Sequence, residues 1–343
     1  MVYSSSSIWS EYKFNTKFYY FNHQLIFFII GLIIMIILSK INYKDYYKYA
    51  NKLLFICFIL LILVLIPGVG QIRNGSRSWF GIGSLGVQPS EITKLALIIF
   101  TSKYLSQNEK DVRSFKKGIF PILLVIGLFF ILIMLEPDFG TAMVIIATIF
   151  AMLFVSNIKT SFFGYIGLLG LIGISSLIII APYRLKRIVS FINPWSDPLG
   201  SGFQIIQSLY AIGPGGLFGL GFGNSIQKHF YLPEPQTDFI FAIISEEFGI
   251  IGITLLSILF IIIFYNTIKI SYNHQDLFAK YLSFGLIMGL IIQTILNIAV
   301  VIGLVPVTGV TLPFISYGGS SLLVSMASIG IILNIANNNK HNL

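Results

Sequence analysis

Charged residues are scarce in this sequence. Asp, Glu, Lys and Arg make up 10% of its 343 residues, whereas a soluble domain carries roughly 25%. With 56% hydrophobic residues, the chain lacks the polar surface that a water-soluble protein needs. It also contains a single cysteine, Cys57, inside an apolar run. A disulfide framework is therefore excluded, and the redox compartment cannot be inferred.

The apolar residues gather in runs of about 17–25, the length that crosses a hydrocarbon core of roughly 30 Å as a helix. Unbroken runs of this kind are not the alternating pattern of a β-barrel, so we predict an all-α polytopic membrane protein. Nine transmembrane helices are predicted, at residues 22–40, 51–67, 90–106, 119–135, 141–157, 162–181, 248–268, 279–303 and 317–336. The chain shows no internal repeat and is predicted to form one membrane domain, 1–343.

The net charge of +9 does not indicate a nucleic-acid partner, because the basic residues are scattered between spans. Most of the 22 Lys and Arg residues fall in alternate connections, which the positive-inside rule assigns to the cytoplasm. The N-terminus is then expected outside. A long extracytoplasmic loop, 183–238, precedes the span at 248–268, and loops of that length are usually functional.

Asp238 is the first candidate site residue. It follows Pro233 and Pro235 at a predicted helix start, where Thr237 or Asp238 can serve as an N-cap. Alternatively, the carboxylate is a general base at the edge of an apolar environment. Glu246 and Glu247 follow in 239–247, which we predict to be an outer or re-entrant segment, because one unbroken helix to residue 268 would exceed the hydrocarbon core.

Other polar residues lie at the same predicted outer ends. Glu91 and Lys94 are three residues apart, so they can pair on one helix face or leave Lys94 to bind a phosphate. Glu136 and Asp138 suggest either a divalent cation site, Mg or Mn, or capping of the next helix. The segment 316–321 starts the last span with small residues, which suits anion binding or close helix packing. The arginines of this side, such as Arg77 and Arg184, can hold phosphates or lipid headgroups.

These blocks resemble the SEDS family, the FtsW, RodA and SpoVE proteins, and cover the chain from about Tyr3 to its end. The matching blocks are Asn74–Arg77 with Trp79, QPSE with Lys94, EPDFGTA from Glu136, the long block from Arg187, GNSIQK from Gly223, LPEPQTDFIFAIISEE from Leu232 and GVTLPFISYGGSSL from Gly309. The last blocks are most similar to the FtsW and SpoVE branch. The family has ten spans, and here the sequence begins at the block that ends its first span, which is therefore expected to be truncated.

The resemblance implies a peptidoglycan glycosyltransferase that polymerises lipid II at the outer face of the bacterial cytoplasmic membrane, during cell division or sporulation. Asp238 would be the catalytic residue, and undecaprenyl diphosphate the leaving group. A class B penicillin-binding protein and divisome or sporulation proteins would be partners. The predicted substrate-binding residues are Arg77, Trp79, Glu91, Lys94, Arg184, Gln204, Gln207, Lys228, Glu234, Thr237, Ser316, Tyr317, Gly318, Gly319 and Ser320. Glu136 and Asp138 would be the metal ligands. A lipid II flippase, a RodA-type elongation polymerase and a scaffold for the transpeptidase are the alternatives.

Overall fold

Apolar composition and length decide the architecture, which a computed structural model gives as predominantly helical. The structure describes residues 1–73, 75–82, 85–159, 161–165, 167, 170, 173 and 189–340. Its main helices are α1 (Val2–Phe14), α2 (Tyr19–Lys40), α3 (Tyr43–Leu65), α4 (Pro89–Gln107), α5 (Phe120–Leu135), α6 (Phe139–Val155), α7 (Phe203–Ile212), α8 (Ile240–Asn273), α9 (Leu277–Val301) and α10 (Gly319–Lys340). A π-helical turn, Phe115–Ile119, leads into α5.

Six helices in the described ranges are long and apolar enough to cross a membrane: α2, α3, α5 with its π-helical turn, α8, α9 and α10. These confirm six of the predicted spans. The spans predicted at 90–106 and 141–157 are helices too, but α4 carries more charge and α6 is shorter. Most of the span predicted at 162–181 lies outside the described residues.

A small antiparallel sheet, which sequence analysis did not predict, lies between α3 and α4. Its strands β1 (Gln71–Arg73), β2 (Ser76–Ile82) and β3 (Leu85–Val87) pair in the order β1-β2-β3. Gly75, with φ of +81°, lies in the turn between the first two strands, a conformation that glycine adopts without strain. The helix α1 was also not predicted.

The described chain forms two compact units whose segments interleave in sequence. Unit 1 contains residues 1–24, 159–261 and 293–318, and unit 2 contains 25–158, 262–292 and 319–343. Because the segments interleave, no linker separates an N-terminal from a C-terminal domain.

Unit 1 contains α7 and a break in α8. Ile205, Ile206, Ser208 and Ala211 of α7 are buried, and Ser208 donates a hydrogen bond to the carbonyl of Val301 at 2.7 Å. Helix α8 breaks at Gly249, whose φ and ψ of 60° and −158° are non-helical. The prediction that 239–247 is a separate segment leading into the span is therefore confirmed.

Unit 2 is built around α4. This helix packs on α3, α6 and α10, and its buried face includes Ala96, Leu97, Ile98 and Ile99. Cys57 of α3 is buried and unpaired by any disulfide. Gly319 at the start of α10 lies so close to Phe27 that a Cβ would be 2.6 Å from its ring, so this glycine serves close packing.

Candidate functional site

Asp238 lies in unit 1, at the entrance to α8. The helix begins two residues later, at Ile240, and both Phe239 and Ile240 are fully buried. Asp238 itself is half-buried. Gly309, with φ of +77°, lies beside the carboxylate, and a Cβ at this position would be 3.7 Å from Asp238 Oδ2. The half-buried carboxylate therefore has a residue without a side chain on one flank.

Three consecutive backbone carbonyls fix the segment that carries this carboxylate. Tyr317 N donates to Gln236 O at 2.8 Å, and Ser316 Oγ donates to Thr237 O at 2.7 Å. Asn297 Nδ2 donates to Asp238 O, also at 2.7 Å. Because each peptide plane has its own donor, the backbone at 236–238 has little freedom to rotate.

The loop that supplies two of these donors is itself tied down. Ser316 Oγ accepts from Leu312 N at 2.8 Å, and Ser316 O accepts from the amide of Gln24 at 3.0 Å. The same amide group of Gln24 accepts from Gly318 N at 3.2 Å. Tyr317 packs edge-on against Tyr20, with ring centroids 5.0 Å apart. The predicted substrate-binding residues Ser316, Tyr317 and Gly318 are thus placed next to the Asp238 segment.

The other predicted residues of unit 1 have diverse surroundings. Thr237 Oγ1 donates to Glu234 O at 3.0 Å, and Glu234 is exposed with φ of +47°. Gln204 and Gln207 are half-buried on α7. Arg184 lies outside the described residues. The roles assigned to these side chains in substrate binding stay predictions.

Lys228 is buried in an ion pair. Its Nζ lies 3.0 Å from Glu247 Oε1, and the side chains are 4% and 0% exposed. Ser4 Oγ donates to the same Glu247 oxygen, and Gly223 O accepts from Lys228 Nζ at 2.6 Å. The ammonium of Lys228, a predicted substrate-binding residue, is therefore engaged by protein groups, and its role in substrate binding stays a prediction.

Glu246 binds the same loop. Its carboxylate accepts from Ser225 Oγ at 2.6 Å and from Ile226 N at 2.8 Å. The two glutamates thus hold the 223–228 segment from adjacent positions on α8. The ion pair of Glu247 and the hydrogen bonds of Glu246 give both buried carboxylates partners inside the protein.

The backbone groups at the Gly249 break bond to the glycine-rich segment 216–221, which precedes this loop. Leu220 N and Gly221 N donate to the carbonyls of Glu246 and Glu247, while Ile250 N and Ile251 N donate to those of Gly216 and Leu217. These four bonds, 2.9 to 3.1 Å long, satisfy the groups that the broken helix leaves unpaired.

Unit 2 contains a second buried Lys–Glu pair. Lys94 Nζ lies 2.8 Å from Glu91 Oε2, and the two side chains are 7% and 9% exposed. The prediction that these residues pair one turn apart on α4 is confirmed. Whether either contacts a substrate stays a prediction.

Asp138 caps α6. Its Oδ1 accepts from Thr141 N at 3.1 Å, while Oδ2 accepts from Gln88 Nε2 at 2.7 Å and Ser90 Oγ at 3.1 Å. The capping alternative is confirmed. Burial raises the pKa of Asp138, and the hydrogen bonds from Thr141 and Ser90 oppose that shift.

Glu136 is fully buried, and among the described residues neither of its carboxylate oxygens has a hydrogen-bond partner. Burial, and to a smaller extent the neighbouring Asp138, raises its pKa to about 9. The group is therefore protonated at neutral pH. The described ranges contain no cluster of three or more His, Cys, Asp or Glu side chains arranged for a metal ion. A neutral Glu136 beside a fully engaged Asp138 does not form a ready cation site.

Arg77 and Trp79 lie in the sheet of unit 2. The Trp79 ring carries the guanidinium of Arg73 at 4.9 Å from its centroid, and Arg77 Nη1 donates to Leu65 O at 3.4 Å. Ser320 Oγ accepts from Gln88 N at 2.9 Å, which ties the start of α10 to the entrance of α4.

Two amides near Asp238, those of Asn297 and Gln24, were not predicted from the sequence. Both lie in apolar runs, where a single amide resembles any polar residue of a helix. A buried amide within a predicted span is a signal, because such groups must find partners inside the protein. The sequence does not indicate which partners.

The fold and these buried polar networks define a polytopic helical membrane protein with an aspartate held at a helix entrance. The chain matches the Cell cycle protein family, FtsW/RodA/SpoVE, over residues 1–341, and it belongs to that family.

Two relatives are similar along nearly the whole chain. Stage V sporulation protein E of Bacillus subtilis (strain 168) is 51% identical over 336 residues, covering 98% of this chain and 92% of that protein. Probable peptidoglycan glycosyltransferase FtsW of Coxiella burnetii is 43% identical over 339 residues, covering 98% and 91%.

Solved structures share the fold. One is a chain of a peptidoglycan synthase complex, solved to show the structural coordination of polymerization and crosslinking. It has a TM-score of 0.78 and 29% identity, covering 93% of this chain and 90% of that one. The Rod shape determining protein RodA of Thermus thermophilus has a TM-score of 0.69 and 26% identity, covering 92% and 87%.

Proposed function

We propose that this protein is a peptidoglycan glycosyltransferase that polymerises lipid II, with Asp238 as the general base. One observation carries the assignment to Asp238. Its side chain is half-buried, and the backbone carbonyls of residues 236–238 each accept a hydrogen bond from a separate donor. A base must be fixed in position before it can take a proton in the transition state. The names of the relatives support the reaction class.

In the proposed reaction, Asp238 accepts the proton of the GlcNAc 4-hydroxyl of incoming lipid II. The hydroxyl oxygen forms a bond to the anomeric carbon of the terminal MurNAc of the growing chain. The bond from that carbon to the diphosphate breaks, and undecaprenyl diphosphate leaves with the electron pair. The anomeric centre is inverted.

The leaving group carries negative charge that needs a partner. We assign this role to cationic side chains of the predicted outer side, with Lys94 and Arg77 as the candidates, Arg184 as a third, and the 316–321 segment as an anion-binding helix start. Lys228 is left out because its ammonium is held by Glu247 and Gly223.

A divalent cation, Mg or Mn, would supply the same charge stabilisation when bound. Glu136 and Asp138 would have to hold it, which requires loss of the Glu136 proton and release of donors from Asp138. The residues do not fit a cation in this arrangement, so no step of the proposed reaction uses one.

We further propose that the active site faces the extracytoplasmic side, as the distribution of Lys and Arg predicts. The partner would be a class B penicillin-binding protein that crosslinks the glycan, and division or sporulation proteins would recruit the pair. A peptidoglycan synthase complex among the structural relatives supports the penicillin-binding partner.

The test is reconstitution in proteoliposomes with the partner transpeptidase and fluorescent lipid II. We expect glycan strands from the wild type and from Asp197→Asn, which alters an exposed carboxylate of the same loop, and none from Asp238→Asn. Translocation of lipid II without polymer would instead support the flippase. If neither polymer nor translocation is found, the chain acts as a scaffold.

A further inference from the structure

Asn297, on α9, is completely buried. Its Nδ2 donates two hydrogen bonds of 2.7 Å each, one to Asp238 O and one to Val310 O. Burying an amide in an apolar helix is unfavourable unless its donors are satisfied. Here a single nitrogen joins the entrance of α8 to the loop after α9.

The carbonyl of Asp238 accepts a side-chain hydrogen bond in place of the usual helical one. In a regular α-helix, Asp238 O would accept from Ala242 N, four residues later. Ala242 N instead donates to Phe239 O at 2.9 Å. The Asn297 amide therefore supplies a bond that the helix itself does not make, and it fixes the peptide plane directly after the Asp238 side chain.

A second amide on the same helix makes a useful comparison. Gln293, one turn earlier, is 1% exposed and donates to Thr311 O at 3.0 Å. It ties α9 to the same loop as Asn297 does, through hydrogen bonds to Thr311. A purely structural role of such amides should therefore be visible equally at both positions.

We infer that Asn297 is a positioning residue for the proposed base: by holding the Asp238 carbonyl, it aims the Asp238 carboxylate at the sugar hydroxyl. This inference rests on the proposed function of Asp238. Because the amide acts on placement and not on substrate binding, its loss should lower kcat and leave the KM for lipid II nearly unchanged.

The experiment measures kcat, KM and thermal unfolding for Asn297→Leu and the matched control Gln293→Leu, in the complex with the partner transpeptidase. We expect kcat to fall by about tenfold or more in Asn297→Leu, with KM within about threefold of wild type and an unfolding temperature close to that of Gln293→Leu. Gln293→Leu should keep kcat within about threefold of wild type. If Asn297→Leu does not accumulate in the membrane, Asn297→Ser, a smaller change with a shorter donor, is judged by the same criteria.

The positioning role would be overturned if Asn297→Leu and Gln293→Leu had equal kcat values, whether both stay near the wild-type kcat or both fall below it. The variant Asp238→Asn, measured in parallel, separates this from failure of the proposed function. If Asp238→Asn polymerises lipid II like the wild type, the catalytic assignment itself is wrong. If it is inactive while Asn297→Leu behaves like Gln293→Leu, only the positioning role is wrong.

Discussion

The two buried Lys–Glu pairs have similar geometry but different surroundings. Lys228 and Glu247 of unit 1 are 19 residues apart in sequence and join a loop to a helix, with Ser4 and Gly223 as further partners. Glu91 and Lys94 of unit 2 lie one turn apart on α4. The Lys228–Glu247 pair joins a loop to a helix, whereas the Glu91–Lys94 pair joins two residues of one helical turn.

This difference shows why burial alone does not identify a functional cation. A lysine whose charge holds two segments together cannot leave its partner without loss of structure. The Glu91–Lys94 ion pair, by contrast, can break without separating two segments of the chain. We therefore expect Lys228 to contribute mainly to stability, and we propose Lys94 as the substrate-binding lysine.

The largest effect is expected from Lys228→Met. Removing the cation leaves Glu247 buried without its charge partner, which typically costs about 3–5 kcal/mol of unfolding free energy. Thermal unfolding in detergent measures it. The double variant Lys228→Met with Glu247→Leu, which removes both charges, should recover part of the loss. A Lys228→Met protein as stable as the wild type would remove the distinction between the pairs.

Gly249→Ala tests the backbone contacts that join the same loop region to α8. Glycine is needed at φ of +60°, and a Cβ there would lie 2.6 Å from Gly219 N and 2.7 Å from Gly215 O. Strain of about 1–3 kcal/mol is expected from the backbone conformation alone. The matched control is Gly127→Ala in α5, where a Cβ meets nothing within 4 Å. Equal unfolding temperatures for the two variants would show that the break in α8 needs no glycine.

Lys94→Met tests the second pair. We expect polymerisation to fall by about tenfold or more, because Lys94 is the cation proposed to stabilise the leaving diphosphate. The unfolding temperature should fall less than in Lys228→Met. Both quantities are measured on the same preparations. If Lys94→Met unfolds as readily as Lys228→Met while the remaining folded protein polymerises normally, the pair in α4 is structural as well.

A pH-dependent effect on stability is expected at Glu136. Its pKa is raised from 4.5 to about 9, so between these values folding takes up a proton that the unfolded chain lacks. Stability from this group is present below about pH 4.5 and is lost as the pH rises toward about 9. Thermal unfolding measured at about pH 5.5 and 8.5 should show a smaller decrease with pH in Glu136→Gln than in the wild type. An identical decrease in both proteins would show that Glu136 is ionised in the folded state.

The lengths of the apolar runs, and the residues that bound them, predicted much of the fold. Six spans are confirmed, and the arithmetic of helix length predicted the break in α8 that Gly249 makes. The Glu91–Lys94 pair and the Asp138 cap follow from spacing alone, since both are local interactions. Family membership, predicted from the motif blocks, is confirmed, and the predicted activity agrees with the names of the relatives.

Long-range partners could not be predicted. Asn297 and Asp238 are 59 residues apart. The partners of Lys228, Glu247 and Ser4, are also distant from it in sequence, so this buried ion pair was not predicted. The small sheet at 71–87 was missed because β1 and β3 have only three residues each, and Gly81 and Gly86 interrupt the alternating pattern of β2 and β3. Single-sequence patterns report local geometry and not which segments meet.

In the proposed reaction Asp238 acts as a base and not merely as a helix-entrance residue. Binding of lipid II and its single-turnover conversion should be compared between the wild type and Asp238→Asn, an isosteric change that removes the proton acceptor. We predict lipid II affinity within about threefold and a rate of bond formation reduced by about 10²–10⁴-fold. Bond formation at the wild-type rate in Asp238→Asn would contradict the account.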